Sequence, residues 1–262
     1  MLEIKILKYR MKGIVFITGA TSGIGEACAY KFASEGYNLI LNGRKGQLLN
    51  ALAQKLSKEY GTQVLPLVFD VRERNQVTEI ISALPKEWQN IDVLINNAGL
   101  VIGLDKEFDV SLEESDVVLD TNVKGLLTMT RLIVPKMIKS QKGHVINIGS
   151  IAGNAAYPGG SVYCATKAAV QFLSDGLRLD LVDTPLRVTN IKPGMAETHF
   201  SITRFRGDKS KADAVYKGLQ PLTAEDVAES VFFAVSAPPH VQIAEILILP
   251  TNQASGTVVH RE

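Results

Sequence analysis

The chain has 262 residues, of which 46% are hydrophobic and 21% charged, the balance of a globular protein with a substantial core. A formal net charge of +1 supplies no overall field to draw the chain to nucleic acid or to an anionic membrane. Its two cysteines, Cys28 and Cys164, form no CxxC pair, which argues against a disulfide framework or a structural zinc site and suits a reducing, cytoplasmic compartment.

The first stretch, "MLEIKILKYRMKG", interrupts its apolar residues with charges and has no cleavage site, so no secretory leader is expected. Residues 1–12 read as an N-terminal extension, with Met11 as an alternative start. "GIVFITG" is a short apolar run ending in glycine, a buried strand. "GEACAYKFASEG" follows with apolar positions at helical spacing and a stop at Gly36. "YNLILNG" is the second strand, "GQLLNALAQKLSKEYG" the second helix and "QVLPLVFDV" the third strand. A helix over Arg74–Leu84 and the strand "IDVLINNAG" come next. One long helix is predicted over Ser115–Lys139, then the strand "GHVINIGS", a helix over Ser161–Val182 and the strand "LRVTNIKPG". "LTAEDVAESVFFAVSAPP" gives the last helix and "AEILILP" the last strand.

Continuous apolar strands alternating with amphipathic helices imply a parallel sheet covered on both faces. The expected fold is α/β: one doubly wound Rossmann-type domain over residues 1–262, with about seven parallel strands. No apolar run reaches the length of a membrane span. Thr198–Leu222 is polar and irregular, and a segment of that length in a compact domain reads as a lid over a substrate.

"FITGATSGIGEA" places Gly19, Gly23 and Gly25 between a strand and a helix. That is the setting of a phosphate-binding turn, where missing Cβ atoms let a pyrophosphate reach backbone N–H groups at a helix N-terminus. The spacing is GxxxGxG, neither GxGxxG nor a P-loop. By itself such a turn is also a plain strand-to-helix connection. The second strand ends in "LILNGRK": Gly43 stands where an NAD site would carry an acid, and Arg44 follows. An arginine fork suits a 2′-phosphate and so NADP; the alternative is a solvated surface cation.

In "SVYCATKAAVQFL", Tyr163 and Lys167 lie one helical turn apart on one face. A phenol with an ordinary pKa of about 10 is a poor base near neutrality, and a nearby cation favours the phenolate. The bland readings are a half-buried core tyrosine and a snorkelling lysine. "GSIAG" around Ser150 does not fit the G-x-S-x-G of a hydrolase. His144, His199, His240 and His260 have no metal-like spacing, so no metal site is expected. Cys164 reads as a packed small residue, and His199 as an exposed loop residue, with contact to substrate as the alternative.

"TGATSGIG", "NNAG" over Asn96–Gly99, Asn122 in "DTNVKG", Ser150 in "INIGS", the Tyr163/Lys167 pair and the "PG" of Pro193 and Gly194 stand in order. Together they resemble the short-chain dehydrogenase/reductase family from about Gly13 to Pro250. Within it, "DVRERNQV", "ALPKEWQNIDVLINNAGL", "YPGGSVYCATKA", "FRGD" and "LTAEDVAE" resemble the NADP-dependent 3-hydroxy acid dehydrogenases, also described as serine or allo-threonine dehydrogenases. The stretch Met195–Ser201 is a residue shorter than that family's usual loop.

The resemblance implies an enzyme that passes a hydride between NADP(H) and a short 3-hydroxy acid, as a homotetramer with no nucleic-acid or membrane partner. It implies Tyr163 as the acid or base, and Lys167 as its helper and a ribose ligand. Ser150 would hold the substrate oxygen, and Asn122 would hold, through its backbone, a water linking Lys167 to solvent. Cofactor contacts fall on Gly19, Thr21, Ser22, Gly23, Ile24, Gly25, Arg44, Asp70, Val71, Asn97, Ala98, Gly99, Pro193, Gly194 and Thr198, besides Tyr163 and Lys167. Asp70 and Val71 should face adenine, Asn97–Gly99 the adenosine ribose, and Thr198 the carboxamide or a phosphate. A substrate carboxylate calls for a cation, and Arg204, or failing it Arg206, is the candidate; two solvated arginines are the alternative. Competing functions are a reductase of a 3-ketoacyl thioester or another carbonyl, and an NADP-binding sensor without turnover.

Overall fold

The computed structural model describes residues 12–262. Apart from Lys12, the expected N-terminal extension lies outside the described residues.

Seven parallel strands form one sheet in the order β3-β2-β1-β4-β5-β6-β7. They are β1 (Ile14–Ile17), β2 (Asn38–Gly43), β3 (Val64–Val68), β4 (Val93–Asn96), β5 (His144–Ile148), β6 (Arg187–Pro193) and β7 (Glu245–Ile248). β1 and β2 are buried throughout, as expected where helices cover both faces. Alternate residues feed two cores. Val15, Ile17, Leu39, Leu41 and Ile95 pack under helices α1 (Gly23–Ser34), α2 (Gly46–Tyr60) and α9 (Ala224–Ser236). Phe16, Ile40, Leu94, Val145 and Val188 face α3 (Arg74–Ser82), α5 (Leu126–Ser140) and Leu177 and Leu181 near the end of α6 (Ser161–Asp180). Each fully buried Ile, Leu or Val contributes about 1.5–3 kcal/mol by leaving water.

The chain order reverses direction across the sheet where β1 meets β4, since β1 leads outward to β2 on one side and β4 pairs on the other. A crevice opens at the carboxyl ends of the strands at such a switch point. It is there that the loops after β1, β4, β5 and β6 meet.

Two expectations change. The long helix predicted over Ser115–Lys139 is two helices, α4 (Leu112–Leu119) and α5, joined by a π-helical turn over Asp120–Gly125. It starts earlier than predicted because the Ser111 side chain caps it, accepting from the Glu114 N–H at 3.1 Å. The wide turn accommodates Asn122, whose side chain is bonded outside the helix, and π-turns of this kind concentrate at functional sites. The segment Thr198–Leu222 is not irregular. It holds two short helices, α7 (Phe200–Arg204) and α8 (Lys209–Ala214), the second capped by Asp208, and an isolated bridge from Ala196 to Leu222 closes its base.

Candidate active site

The turn after β1 is shaped by glycines in left-handed conformation, Gly19 at φ 66° and Gly23 at φ 56°. A Cβ at Gly25 would run into the Gly19 carbonyl and the Asn97 amide, so the helix can approach the turn only with glycine there. Ser22 is the N-cap of α1 yet makes no side-chain cap bond, which leaves the first N–H groups of the helix directed at the cleft. This bare helix start over a Cβ-free cradle fits a pyrophosphate. Thr198 packs against the same turn: a Cβ on Gly23 would stand 3.2 Å from the Thr198 Cβ.

One cleft is lined by Gly19, Thr21, Ser22, Gly23, Ile24, Arg44, Asp70, Val71, Asn97, Ala98, Gly99, Ser150, Tyr163, Lys167, Pro193, Gly194 and Thr198, all drawn together from expectations made on sequence. Gly25, Asn122 and Arg204 are not on its wall. Gly25 lies behind the turn. Asn122 is buried and its amide is fully committed: it accepts from Leu100 N at 2.8 Å, donates to Leu100 O at 2.8 Å and donates to Thr166 Oγ1 at 3.0 Å. Only its main chain remains for the expected water.

Asn97 does more than line the cleft. Its amide donates to the carbonyls of Thr18 and Gly19 at 2.9 and 3.0 Å, tying the loop after β4 to the glycine turn. Thr18, not singled out from sequence, accepts at Oγ1 from the N–H groups of Asn97 and Ala98.

At the far end stand Gly43, Arg44 and Asp70. A Cβ at Gly43, the place where an NAD site carries an acid, would lie 2.6 Å from Thr21 Cγ2, so a side chain there would have to displace Thr21. Arg44 is exposed, with Nη1 3.7 Å from Asp70 Oδ2. The stronger partner of Asp70 is Arg72, which sequence reading missed: its Nε and Nη2 donate to the carboxylate, the latter at 2.7 Å. Burial raises the Asp70 carboxyl, and the bonds from Arg72 outweigh it and hold the group below the usual range.

At the other end, α6 presents Tyr163 and Lys167 from one face, both buried. Lys167 donates from Nζ to the Ile148 carbonyl at 2.7 Å, and that nitrogen lies 5.8 Å from the Tyr163 ring centroid. Burial without an anionic partner pushes the ammonium down to about 8. Burial also pushes the Tyr163 phenol well above its ordinary value; the neighbouring Ser150 hydroxyl and the Arg204 charge pull it back. The expected lowering by Lys167 is not what this arrangement shows: its amine is turned to Ile148, and the groups easing the phenol are Ser150 and Arg204. Ser150 caps the short turn Ile151–Gly153, accepting from Ala152 N at 3.1 Å, which fixes the hydroxyl at the mouth of β5.

Arg204, on α7, sits over two rings, its guanidinium carbon 5.5 Å from the centroid of Tyr157 and 5.8 Å from that of Tyr163. It donates from Nη2 to the Tyr157 hydroxyl, and its Nε is buried with no protein partner among the described residues. Phe200 packs on Tyr163 at 5.5 Å between centroids. Arg206 does not share this place: it is exposed and ion-paired to Asp105 and Glu114. His199 is exposed and lines the cleft. Tyr157 was not identified as a site residue. It lies in the irregular "YPGG" segment, and only its contact with Arg204, 47 residues away, reveals it.

The arrangement offers one cleft lined from the glycine turn and Arg44 to Tyr163, a buried phenol with a hydroxyl beside it, and a guanidinium next to the phenol whose Nε has no protein partner among the described residues. Residues 13–209 match the model of the family described as short chain dehydrogenase. An NADP-dependent 3-hydroxy acid dehydrogenase of Schizosaccharomyces pombe is 43% identical, over 95% of this chain and 96% of that one. The sulfoacetaldehyde reductase 2 of Chromohalobacter salexigens is also 43% identical, over 96% and 100%. The closed form of a serine dehydrogenase complexed with NADP+ superposes with a TM-score of 0.88 at 43% identity, covering 95% of this chain and all of the other.

Proposed function

The chain belongs to the short-chain dehydrogenase family, and from that premise we propose that it is an NADP-dependent oxidoreductase. It transfers a hydride between NADP(H) and a short 3-hydroxy acid of the serine, allo-threonine or 3-hydroxypropionate type, or the matching semialdehyde or ketone. The observation that carries this reading is the placing of the Arg204 guanidinium beside Tyr163, which lines the cleft, with a buried Nε–H that has no protein partner among the described residues.

The glycine turn and the start of α1 hold the pyrophosphate, Thr198 closes over it, and Arg44 takes the 2′-phosphate. Asp70 and Val71 face the adenine; Pro193 and Gly194 face the nicotinamide. The nicotinamide supplies the hydride acceptor or donor. Tyr163 handles the proton of the substrate oxygen, as a phenol that donates in reduction and a phenolate that accepts in oxidation. At neutral pH the phenol carries its proton, the state from which it donates in reduction. Ser150 donates to the same oxygen and stabilises the developing alkoxide. Lys167, held near neutrality by burial, binds the ribose and passes the proton toward the Asn122 main chain. Arg204, steadied by Tyr157, pairs with the carboxylate and so fixes which end of the substrate meets Tyr163.

A second reading is a short sulfonate aldehyde as substrate. The relative named sulfoacetaldehyde reductase 2 is as similar as the hydroxy acid dehydrogenase, and Arg204 suits either anion. A panel of hydroxy acids, semialdehydes, sulfonate aldehydes and neutral ketones, followed by NADPH absorbance with NADH as control, decides between them. Turnover with neutral ketones alone would remove the anion from the account.

We infer a cytoplasmic homotetramer. Free, buried thiols at Cys28 and Cys164 suit a reducing compartment. Two separate sets of exposed apolar side chains support a tetramer with two kinds of contact: Leu112, Phe172 and Leu179 on α4 and α6, and Phe233 and Leu247 on α9 and β7. Light scattering on Phe172→Glu would show dissociation to dimers if α6 carries a contact, and an unchanged mass if it does not.

A further inference from the structure

Arg206 follows α7 with a backbone φ of 51°, in the left-handed region that disfavours a side chain. What holds it there is a fork across the lid. Its Nε donates to Glu114 Oε1 at 2.9 Å and its Nη2 to Glu114 Oε2 at 2.6 Å, while Nη2 also reaches Asp105 Oδ2 at 2.7 Å. Glu114 belongs to α4 and Asp105 to the loop after β4, so one guanidinium ties the lid to two elements outside it. The backbone adds a third tie, Gly103 N–H to the Arg204 carbonyl at 2.8 Å. Gly103 itself is at φ 71°, and a Cβ there would stand 2.5 Å from Asp105 Oδ2 and 2.8 Å from Arg206 Nη2. A side chain at 103 would strain the backbone and crowd both ends of the Asp105–Arg206 pair.

We propose that Arg206 is a positioning residue: it fastens α7 to the Gly103–Asp105 loop and α4, and thereby stands the Arg204 guanidinium at Tyr163. This rests on the reading of Arg204 as the carboxylate ligand. A single exposed ion pair contributes little, but a bidentate arginine shared between two carboxylates is the geometry in which such a pair counts. The fork, not the charge alone, sets the position, so lysine replaces it only in part.

The test is Arg206→Ala and Arg206→Lys in the full chain, with Arg204→Ala as reference. Arg206→Ala is expected to raise KM for a short anionic semialdehyde about fivefold, the size of one well-made exposed ion-pair network, with kcat and NADPH affinity within twofold. KM for a neutral aldehyde stays unchanged, and Arg206→Lys falls between. Amide hydrogen exchange at Gly103 quickens in Arg206→Ala, since its acceptor on Arg204 is no longer held. Unchanged exchange at Gly103 overturns the proposal. So does an unchanged KM in Arg206→Ala where Arg204→Ala raises it. If Arg204→Ala leaves KM unchanged, the carboxylate reading has failed and the positioning role falls with it, whatever Gly103 shows.

Discussion

The guanidinium carbon of Arg204 lies 5.8 Å from the ring centroid of Tyr163, while its Nη2 donates to Tyr157 and its Nε has no protein partner among the described residues. A buried N–H without a partner is costly, and an anionic ligand that accepts from it removes that cost. On the proposed reading, the pair links proton transfer to recognition of the acid end of the substrate.

Arg204→Ala should raise KM for a short hydroxy acid by roughly tenfold to a hundredfold, the worth of a charge-assisted hydrogen bond. Turnover of a neutral ketone should change far less, by only the part that the Arg204 charge plays in easing the Tyr163 phenol. Tyr157→Phe removes the hydroxyl that steadies Arg204 and should give a smaller rise of the same kind. Steady-state kinetics on an acid and a neutral substrate in parallel reads both.

Tyr163→Phe keeps the ring and its packing on Phe200 but loses the proton. The rate should fall by about a hundredfold to ten-thousandfold, the usual reach of general acid–base catalysis. NADPH binding, followed by fluorescence, should survive. Equal loss of binding would mark Tyr163 as a cofactor ligand first.

Arg44→Ala should weaken NADPH by roughly tenfold or more and leave NADH nearly unchanged, because only one of them carries the 2′-phosphate. Gly43→Ala should weaken both, since the new Cβ meets Thr21 at 2.6 Å and disturbs the pyrophosphate turn. Titration of each variant with both nucleotides separates the two effects.

His144, buried on β5, bonds Thr189 Oγ1 through Nε2 at 2.8 Å, and its Nδ1 has no partner among the described residues. Burial, with the Arg187 charge adding to it, pushes the imidazole from 6.5 down to about 3. The fold therefore holds this histidine neutral. Its contribution is present above pH 6.5 and is lost as the pH falls from there toward 3, while the unfolded chain takes up the proton. Between pH 7 and pH 5 this amounts to about 2 kcal/mol. Urea unfolding at both pH values should show that loss in the wild type and a flatter dependence in His144→Gln. Parallel curves would place the acid sensitivity elsewhere.

Much of this molecule could be read from local pattern. All seven strands and the helices α1, α2, α3, α6 and α9 follow from apolar runs and 3.6-residue spacing, and the glycine turn and the Tyr163/Lys167 pair follow from residues close in sequence. The features that were not legible depend on distant partners. The π-turn exists because the Asn122 amide bonds Leu100 and Thr166, and no period in "DTNVKG" announces that. The helices of the Thr198–Leu222 segment are short, with α8 marked only by its Asp208 cap. Arg204 and Arg206 look alike in "RFRGD", yet one stacks on Tyr157 and Tyr163 and the other pairs with Asp105 and Glu114. Two residues apart across a left-handed turn, they point to different partners, and only the fold decides which.

The role of Arg204 is read from the initial rate of NADPH oxidation with a short anionic semialdehyde and with its neutral analogue, for the wild type and Arg204→Ala. If Arg204 holds the carboxylate, kcat/KM of the wild type is far higher for the anion, and Arg204→Ala abolishes this preference while keeping most of the neutral rate. Equal kcat/KM for the two aldehydes in the wild type, or a preference that persists in Arg204→Ala, would contradict it.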